Sequence, residues 1–448
     1  MNGGPARGVI IAAPASGCGK TLITLGLLRH LSRAGQPVAS AKAGPDYIDP
    51  AFHTAASGRP CLNMDVWAMR AETLTTISDE LAQNGGTVIC EGVMGLFDGA
   101  TARPADGNGS TAELARIIGW PVVLIVDARA QAASAAALVR GFASHAAEVT
   151  ISGVVFNRVG GDRHAGLLKD AMADSLPHIP VLGCLPGRGD LELPERHLGL
   201  VQAGEHDDLE DFLDRAAAWI DAHVDITTLI TLARPARGVE MAANPPPLSP
   251  LGQRIAVACD DAFAFCYPHV LNGWQQAGAE VLTFSPLAGE GPDADADAVY
   301  LPGGYPELHA GRLSSSDALM AGLRAAAGRG AAVFGECGGY MMMGDALTDA
   351  NGVRHAMAGL LAVETSFAER RLYLGYRRVE LLGDGPLGAA GTIYRGHEFH
   401  YATIVAEGPG EPLFQSTNAS GCDNGTTGLR LGTVSGSFIH LIDTESPT

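Results

Sequence analysis

The sequence predicts an α/β protein of two tandem three-layer α/β domains, and three observations carry that reading. Short apolar runs alternate with stretches of helical periodicity in both halves, as in a parallel sheet covered on both faces. The alternation breaks once, in ARPARGVEMAANPPPLSPLGQ (233–253), where five prolines and little periodicity mark a linker. At 448 residues the chain is also too long for one ordinary core. The expected organisation is a first domain over 1–233, a linker over 234–253 and a second domain over 254–448, with no sequence repeat between the two.

In the first domain, GVIIAAP reads as a strand, PASGCGKT (14–21) as a Gly-rich loop and KTLITLGLLRHLSRAG as a helix closed by glycine. TVICEG (87–92), PVVLIVDA (121–128) and ISGVVFNRV (151–159) are further buried strands, and QAASAAALVRGFASHA is one of the helices between strands. After the linker the pattern restarts. RIAVACD (254–260) is a strand, YPHVLNGWQQAG a helix, and EVLTF and AVYLPGG (298–304) are strands. A helix near 317–328 then leads to the strand and turn AAVFGECGG.

Composition excludes several functions. A net charge of −19, from 49 acidic and 30 basic residues, gives no basic field for nucleic acid or for an anionic membrane. No apolar stretch reaches the roughly 20 residues of a membrane span. The N-terminal apolar run, about six residues, is too short for a signal-peptide core. The eight cysteines show no CxxC pair or metal spacing and read as reduced thiols, so a cytoplasmic location is expected.

Two stretches carry chemistry. Loop 14–21 lies between a strand and a helix, where backbone N–H groups and the helix dipole favour phosphate oxygens. Its candidate phosphate cradle is Ser16, Gly17, Cys18, Gly19, Lys20 and Thr21. Lys20 supplies a point charge and the Thr21 hydroxyl can hold magnesium, although Pro14 stands where the strict GxxxxGK[ST] pattern has glycine. KAGPDYIDP (42–50) adds Lys42, Asp46 and Asp49, a pattern that an ordinary surface turn also produces. CEGVMGLFDGA (90–100) places Glu91 at a strand end and Asp98 in the loop beyond it, beside the crevice of an open sheet. An acid there is the usual second anchor for Mg·ATP.

The second stretch is AVFGECGGYMMM, in which Cys337 sits between an apolar strand and two glycines that open a helix. A sharp strand-to-helix turn exposes a nucleophile, and the Gly338 N–H at the helix start can serve both thiolate and oxyanion. LPGGYPE (301–307) follows another strand, and its Gly303–Gly304 pair offers a second oxyanion donor. A buried structural thiol is the alternative. Spacing alone does not choose a base among His397, His400 and His440.

PASGCGKT, KAGPDYIDP and EGVMGLFDG together resemble the N-terminal domain of the cobyrinic acid a,c-diamide synthases, which is dethiobiotin synthetase-like in fold. The resemblance runs on through VVLIVDA and GVVFNRVGGDRH into the C-terminal half. There GECGGYM and GSFIHL resemble the nucleophile and histidine motifs of class I, flavodoxin-like glutamine amidotransferases. It implies Cys337 as nucleophile and His440 as base, with Gly338 and Gly304 as oxyanion donors. Many amidotransferases carry an acid two residues after the histidine, where this chain has Ile442, and the cobyrinate-type branch is described as relying on a Cys–His pair. No step is assigned to His397 or His400.

The resemblance further implies ATP and Mg2+ as cofactors. Loop 16–21 and Lys42 would hold the nucleotide, and Thr21, Asp46 and Glu91 the metal. Tyr47, Asp49 and Asp98 would position substrate carboxylate or ammonia. Asn157 would contact the nucleobase, or simply cap a turn. The implied reaction is glutamine-dependent, ATP-driven amidation of the a and c carboxylates of cobyrinic or hydrogenobyrinic acid through an acyl phosphate. L-glutamine and a corrinoid are then the small-molecule substrates, and a homodimer follows by analogy of fold. Two alternatives stay open. A cobyric acid synthase would amidate other corrin carboxylates, and a partitioning-type ATPase would share only the N-terminal fold and release no glutamate.

Overall fold

A computed structural model describes residues 6–83, 86–100, 107–191, 195–196, 199–200, 208–237 and 245–445. The chain divides into two compact units, residues 1–67 with 74–242 and residues 68–73 with 243–448.

The first unit opens with β1 (Arg7–Ala12), α1 (Lys20–Arg33), β2 (Val38–Ala43), α2 (Ile48–Ser57), β3 (Leu62–Met64), α3 (Ala71–Gln83) and β4 (Thr87–Glu91). It continues through α4 (Thr111–Ile118), β5 (Val122–Asp127), α5 (Ser134–His145), β6 (Ile151–Val159), α6 (Asp162–Ser175) and β7 (Val181–Pro186). Two short strands β8 (Glu195–Arg196) and β9 (Gly199–Leu200) precede α7 (Leu209–His223), α8 (Ile226–Leu232) and β10 (Arg234–Pro235). Strands β1 to β7 form one parallel sheet in the order β3-β2-β4-β1-β5-β6-β7. All five residues of β1 after Arg7 are buried, as are all six of β2, because both faces of these strands lie under helices. The strand order reverses at β1, so the crevice beyond its carboxyl end is where such sheets take ligands. On one face α1 packs along α7, and Arg29 pairs with Glu210 and with Asp214, the latter at 2.7 Å.

The second unit contains β11 (Arg254–Ala258), α9 (Pro268–Gln276), β12 (Glu280–Phe284), β13 (Ala298–Leu301), α10 (Ala310–Ser314), α11 (Asp317–Gly328), β14 (Ala332–Glu336) and α12 (Gly338–Met343). Strands then dominate: β15 (Ala346–Thr348), β16 (Arg354–Ala356), β17 (Val363–Ser366), β18 (Tyr373–Leu381) and β19 (Ile393–His400). The last are β20 (Thr403–Glu407), β21 (Glu411–Asn418), β22 (Asp423–Leu431), β23 (Val434–Ser437) and β24 (Ile439–Thr444). A ten-stranded sheet runs β12-β11-β13-β14-β23-β22-β21-β18-β19-β24. It is parallel from β12 through β23 and antiparallel from there to β24. A smaller sheet, β16-β15-β17-β20, lies beside it in sequence.

The parallel half is the part the apolar runs predict. The antiparallel half was not read from them, because β18 and β22 are mostly half-exposed and rich in Arg, Gly, Thr and Asn. In the stretch read as linker, Arg234–Pro235 pairs antiparallel with β1, and residues 238–244 lie outside the described residues. The segment Ala68–Thr73 belongs to the second unit, where the Arg70 backbone N–H and Nε–H and the Thr73 hydroxyl all donate to buried Asp443. No helix among the described residues is long and apolar enough to cross a membrane.

Candidate active sites

In the first unit, β1 delivers the chain into loop 13–19 and α1 begins at Lys20. Gly17 and Gly19 take φ of 76° and 96°, a left-handed conformation that costs glycine little. A Cβ on Gly19 would lie 2.4 Å from the Asn157 amide nitrogen, so the loop needs glycine there for space as well. Asn157 is buried; its Nδ2 donates to Cys18 O at 2.9 Å and its Oδ1 accepts from Arg158 N at 2.8 Å. These bonds support the turn-capping alternative, with the Asn157 side chain propping the phosphate loop. Arg158 follows with φ of 58°, and its guanidinium donates to Gly17 O and Asp127. Ser16 and Gly17 are exposed, and Cys18 is buried.

Lys20 is buried and donates to Met94 O at 2.7 Å, which ties the phosphate loop to the loop after β4. Burial lowers the pKa of its ammonium while Glu91 opposes that shift. The β4 loop is itself pinned. Thr111 Oγ1 accepts from Val93 N, and Asp98 Oδ2 accepts from Gly95 N at 2.9 Å. Asp98 is otherwise exposed.

Beneath the loop lies an array of buried charge. Lys42 on β2 and Glu91 on β4 are register partners, and Lys42 Nζ is 3.1 Å from Glu91 Oε1. Helix α2 lies over them with Asp49 and His53 one turn apart on one face. Lys42 donates to Asp49 Oδ2 at 2.5 Å, and His53 Nε2 is 2.7 Å from Glu91 Oε2. The remaining partner of Glu91 is Thr21, whose hydroxyl donates to Oε1 at 2.7 Å. His53 Nδ1 lies 3.4 Å from Cys61 Sγ.

Burial opposes ionisation of Glu91, but Lys42, His53 and Thr21 outweigh it and hold its carboxyl well below the usual carboxylate range. Burial also opposes a charged His53, and Cys61 and Glu91 at its two nitrogens raise it to about 10. Burial pushes Asp49 up, Lys42 pulls it down, and Asp46 and Glu91 push again, leaving it at about 7. Asp49 is therefore the carboxyl of this array that takes up a proton first.

Two expected ligands already have partners within the protein. Lys42, read as a nucleotide contact, is buried and spent on Asp49 and Glu91. Asp46, expected as a metal ligand with Thr21 and Glu91, accepts from Ile48 N through Oδ1 at 2.8 Å at the start of α2. Among the described residues, no three His, Cys, Asp or Glu side chains form a metal cluster. The Thr21–Glu91 pair offers two hard oxygen donors at a helix N-terminus. It fits an Mg2+ that takes few protein ligands and completes its shell with phosphate and water. Tyr47, just before α2, is half-buried.

In the second unit, Cys337 joins β14 to α12 with φ 47° and ψ −103°, backbone that a non-glycine residue adopts only under constraint. Its amide donates to Ser437 O at 2.8 Å and fixes the turn against β23. Gly339 N donates to Pro302 O, drawing α12 onto the loop after β13. A Cβ on Gly338 would lie 3.0 Å from Gly304 N, so the Gly304 amide borders the start of α12. The Gly338 N–H acts to lower the Cys337 thiol, against the effect of burial. These are the two expected oxyanion donors, brought together.

His440 is fully buried on β24. A Cβ on Gly303 would lie 2.3 Å from His440 Cε1 and 3.3 Å from Cys337 Cβ, so only glycine lets thiol and imidazole close on the same space. The antiparallel pairing of β19 with β24 sets His397 opposite His440, with ring centroids 4.9 Å apart. His400 is held by Ala402 O and Glu398, and Arg377 holds the other Glu398 oxygen. Burial, then His397 and His400, keep His440 well below the usual histidine value, so its ring is neutral. Burial raises the Cys337 thiol, and Glu307 adds to that.

The triad-acid position holds the buried Ile442, and neighbouring Asp443 is tied to Arg70 and Thr73. A carboxyl comes from the residue before the nucleophile: Glu336 Oε1 accepts from Leu441 N at 3.0 Å and its Oε2 from Tyr300 at 2.8 Å. Burial pushes Glu336 up to about 8. Glu336 and His53 are the two residues that sequence reasoning passed over. His53 lies four residues beyond Asp49 on the same face of α2.

A phosphate loop above a buried carboxylate, joined in one chain to a Cys–His site with backbone oxyanion donors, defines a nucleotide-binding glutamine amidotransferase. Family models agree: the CobQ/CobB/MinD/ParA nucleotide binding domain matches residues 9–201, and the CobB/CobQ-like glutamine amidotransferase domain matches residues 254–447. The hydrogenobyrinate a,c-diamide synthase of Brucella anthropi is 55% identical over 439 residues, covering 98% of both chains. That of Rhizobium meliloti is 55% identical, covering 98% of this chain and 99% of its own. The chain belongs to the hydrogenobyrinate a,c-diamide synthase family. It is accordingly an enzyme of glutamine-dependent amidation.

Proposed function

We propose that the protein converts hydrogenobyrinic acid to its a,c-diamide, with ATP and L-glutamine as co-substrates, in cobalamin biosynthesis. The names of relatives identical at half their positions favour the cobalt-free corrin over cobyrinic acid. The observation that carries the two-site reading is the convergence of Cys337 and His440 on one space, which a Cβ at Gly303 would fill, with Gly304 N bordering Gly338 beside the nucleophile.

In the second unit, neutral His440 takes the thiol proton as Cys337 Sγ attacks the glutamine side-chain amide. The Gly338 and Gly304 N–H groups receive the oxyanion. Ammonia leaves with the proton returned by His440, and water hydrolyses the thioester to glutamate. In the first unit, loop 16–21 and Lys20 bind the ATP phosphates, and Thr21 with Glu91 Oε1 would hold Mg2+. When bound, that ion neutralises charge on the transferring phosphoryl group. A corrin carboxylate takes the γ-phosphoryl group, releasing ADP; ammonia then attacks the acyl phosphate and phosphate leaves. Asp49, half-neutralised near pH 7, and exposed Asp98 are the groups we assign to positioning the carboxylate or ammonia, with Tyr47 beside them. A homodimer and a cytoplasmic location complete the proposal, with domains near 1–233 and 254–448 apart from segment 68–73, which groups with the second unit.

The test is Cys337→Ala. Amidation supported by glutamine should vanish, while amidation supported by high external ammonia survives; product mass should rise by two amides on metal-free substrate. Equal loss of both activities in a folded protein would refute the two-site assignment.

A further inference from the structure

Among the described residues of the first unit, the reaction as given leaves buried His53 without work. His53 is fully buried on α2, and its ring spans from Cys61 Sγ at Nδ1 to Glu91 Oε2 at Nε2. The other oxygen of Glu91 faces Thr21 and Lys42. We propose that His53 is a positioning residue for phosphoryl transfer: by donating from Nε2–H to Oε2 of Glu91, it fixes the carboxylate with Oε1 presented to Thr21, where the metal and phosphates bind.

The argument is geometric. The terminal torsion of a glutamate is broad, so a carboxylate at a strand end has no preferred plane of its own. Glu91 acquires one because each oxygen has different partners, on opposite sides. Helix α2 supplies the outer partner at fixed height, since Asp49 one turn earlier is anchored on Lys42, the register neighbour of Glu91. The Ser57 hydroxyl donates to His53 O at 2.8 Å and Cys61 N donates to Thr54 Oγ1, so the helix cannot easily carry the ring away. Groups of this kind, which bind a ligating carboxylate or imidazole from behind, typically change metal affinity by about 10–100-fold when removed. This inference rests on the proposed ATP-dependent function of the first unit.

The experiment compares His53→Gln with His53→Asn in the full chain. The glutamine amide reaches the place of Nε2, whereas the asparagine amide reaches only that of Nδ1. Calorimetry would measure ATP binding in EDTA, and then Mg2+ binding to the ATP complex. We expect both variants to bind metal-free ATP as the unsubstituted protein does. His53→Asn should weaken Mg2+ binding by roughly 10–100-fold, and His53→Gln by no more than about threefold. Two variants equal to the unsubstituted protein, or equally impaired, would overturn the assignment. Should His53→Asn fail to bind metal-free ATP, His53→Gln decides alone: a tenfold loss overturns the proposal and retention supports it. Absence of Mg·ATP binding in the unsubstituted protein would instead overturn the functional reading itself, a separate outcome.

Discussion

The two sites handle charge in opposite ways. In the first unit, Lys42, His53, Asp49 and Glu91 are buried together, and opposite charges at 2.5 to 3.1 Å keep Glu91 ionised and Lys42 and His53 cationic. In the second unit, burial acts on groups with few opposite charges beside them. The thiol of Cys337 and carboxyl of Glu336 are raised and His440 is lowered, so all three are held neutral. The difference suits the ligands. Triphosphate and acyl phosphate are anions that a fixed charge array can recognise, whereas glutamine hydrolysis develops charge only during the reaction. There, backbone N–H groups and a neutral base respond to charge as it forms.

The largest effect that would sharpen this contrast concerns Glu336. Its carboxyl stands at about 8 in the folded chain against an ordinary 4.5. Between those values the folded protein keeps a proton that the unfolded chain has lost, so stability is full below pH 4.5 and declines as pH rises to 8. The decline from this one group is on the order of 5 kcal/mol. Denaturant unfolding of Glu336→Gln between pH 5 and 8 should show a flatter dependence than the unsubstituted protein by several kcal/mol. Identical slopes would mean Glu336 is ionised, and the second site would lose its charge-suppressed character.

Next in size is Gly303→Ala. The added Cβ would sit 2.3 Å from His440 Cε1, so the imidazole must move relative to Cys337. A displacement near 1 Å at reacting groups costs about 100-fold. Glutamate release should fall by that order while ammonia-supported amidation is kept, because the charge array of the first unit does not involve this loop. If glutaminase stays within a few-fold of normal, the site does not depend on tight apposition of base and nucleophile.

Much of this contrast was legible in the sequence. The phosphate loop, Glu91 at a strand end, and Cys337 between strand and glycines are local patterns, each carried by a run of adjacent residues. What the sequence hid depends on pairing across strands. Lys42 looked like a free cation because its register partner Glu91 is 49 positions away, and only the β2–β4 pairing brings them together. His53 was invisible for the same reason. The antiparallel half of the second sheet escaped because β18 to β22 bury one face at most and so lack apolar runs. Yet that half delivers His397 and, through β24, His440.

The smallest effect separates two roles for one side chain at the edge of the charge array. Asn157 reads from sequence as a nucleobase contact or a turn cap, and its amide nitrogen lies 2.4 Å from where a Gly19 Cβ would be and donates to Cys18 O. Asn157→Ala removes that support and leaves a buried carbonyl without it, a cost of about 1–3 kcal/mol. Because the loop it supports binds phosphates, the cost should fall on every nucleotide alike. Affinity for ATP and for GTP should each drop by roughly tenfold, leaving their ratio unchanged. A nucleobase contact would behave differently, since it would erase the preference between the two bases and spare a ligand such as inorganic triphosphate. Titrating the variant with ATP, GTP and triphosphate therefore distinguishes a prop of the loop from a reader of the base.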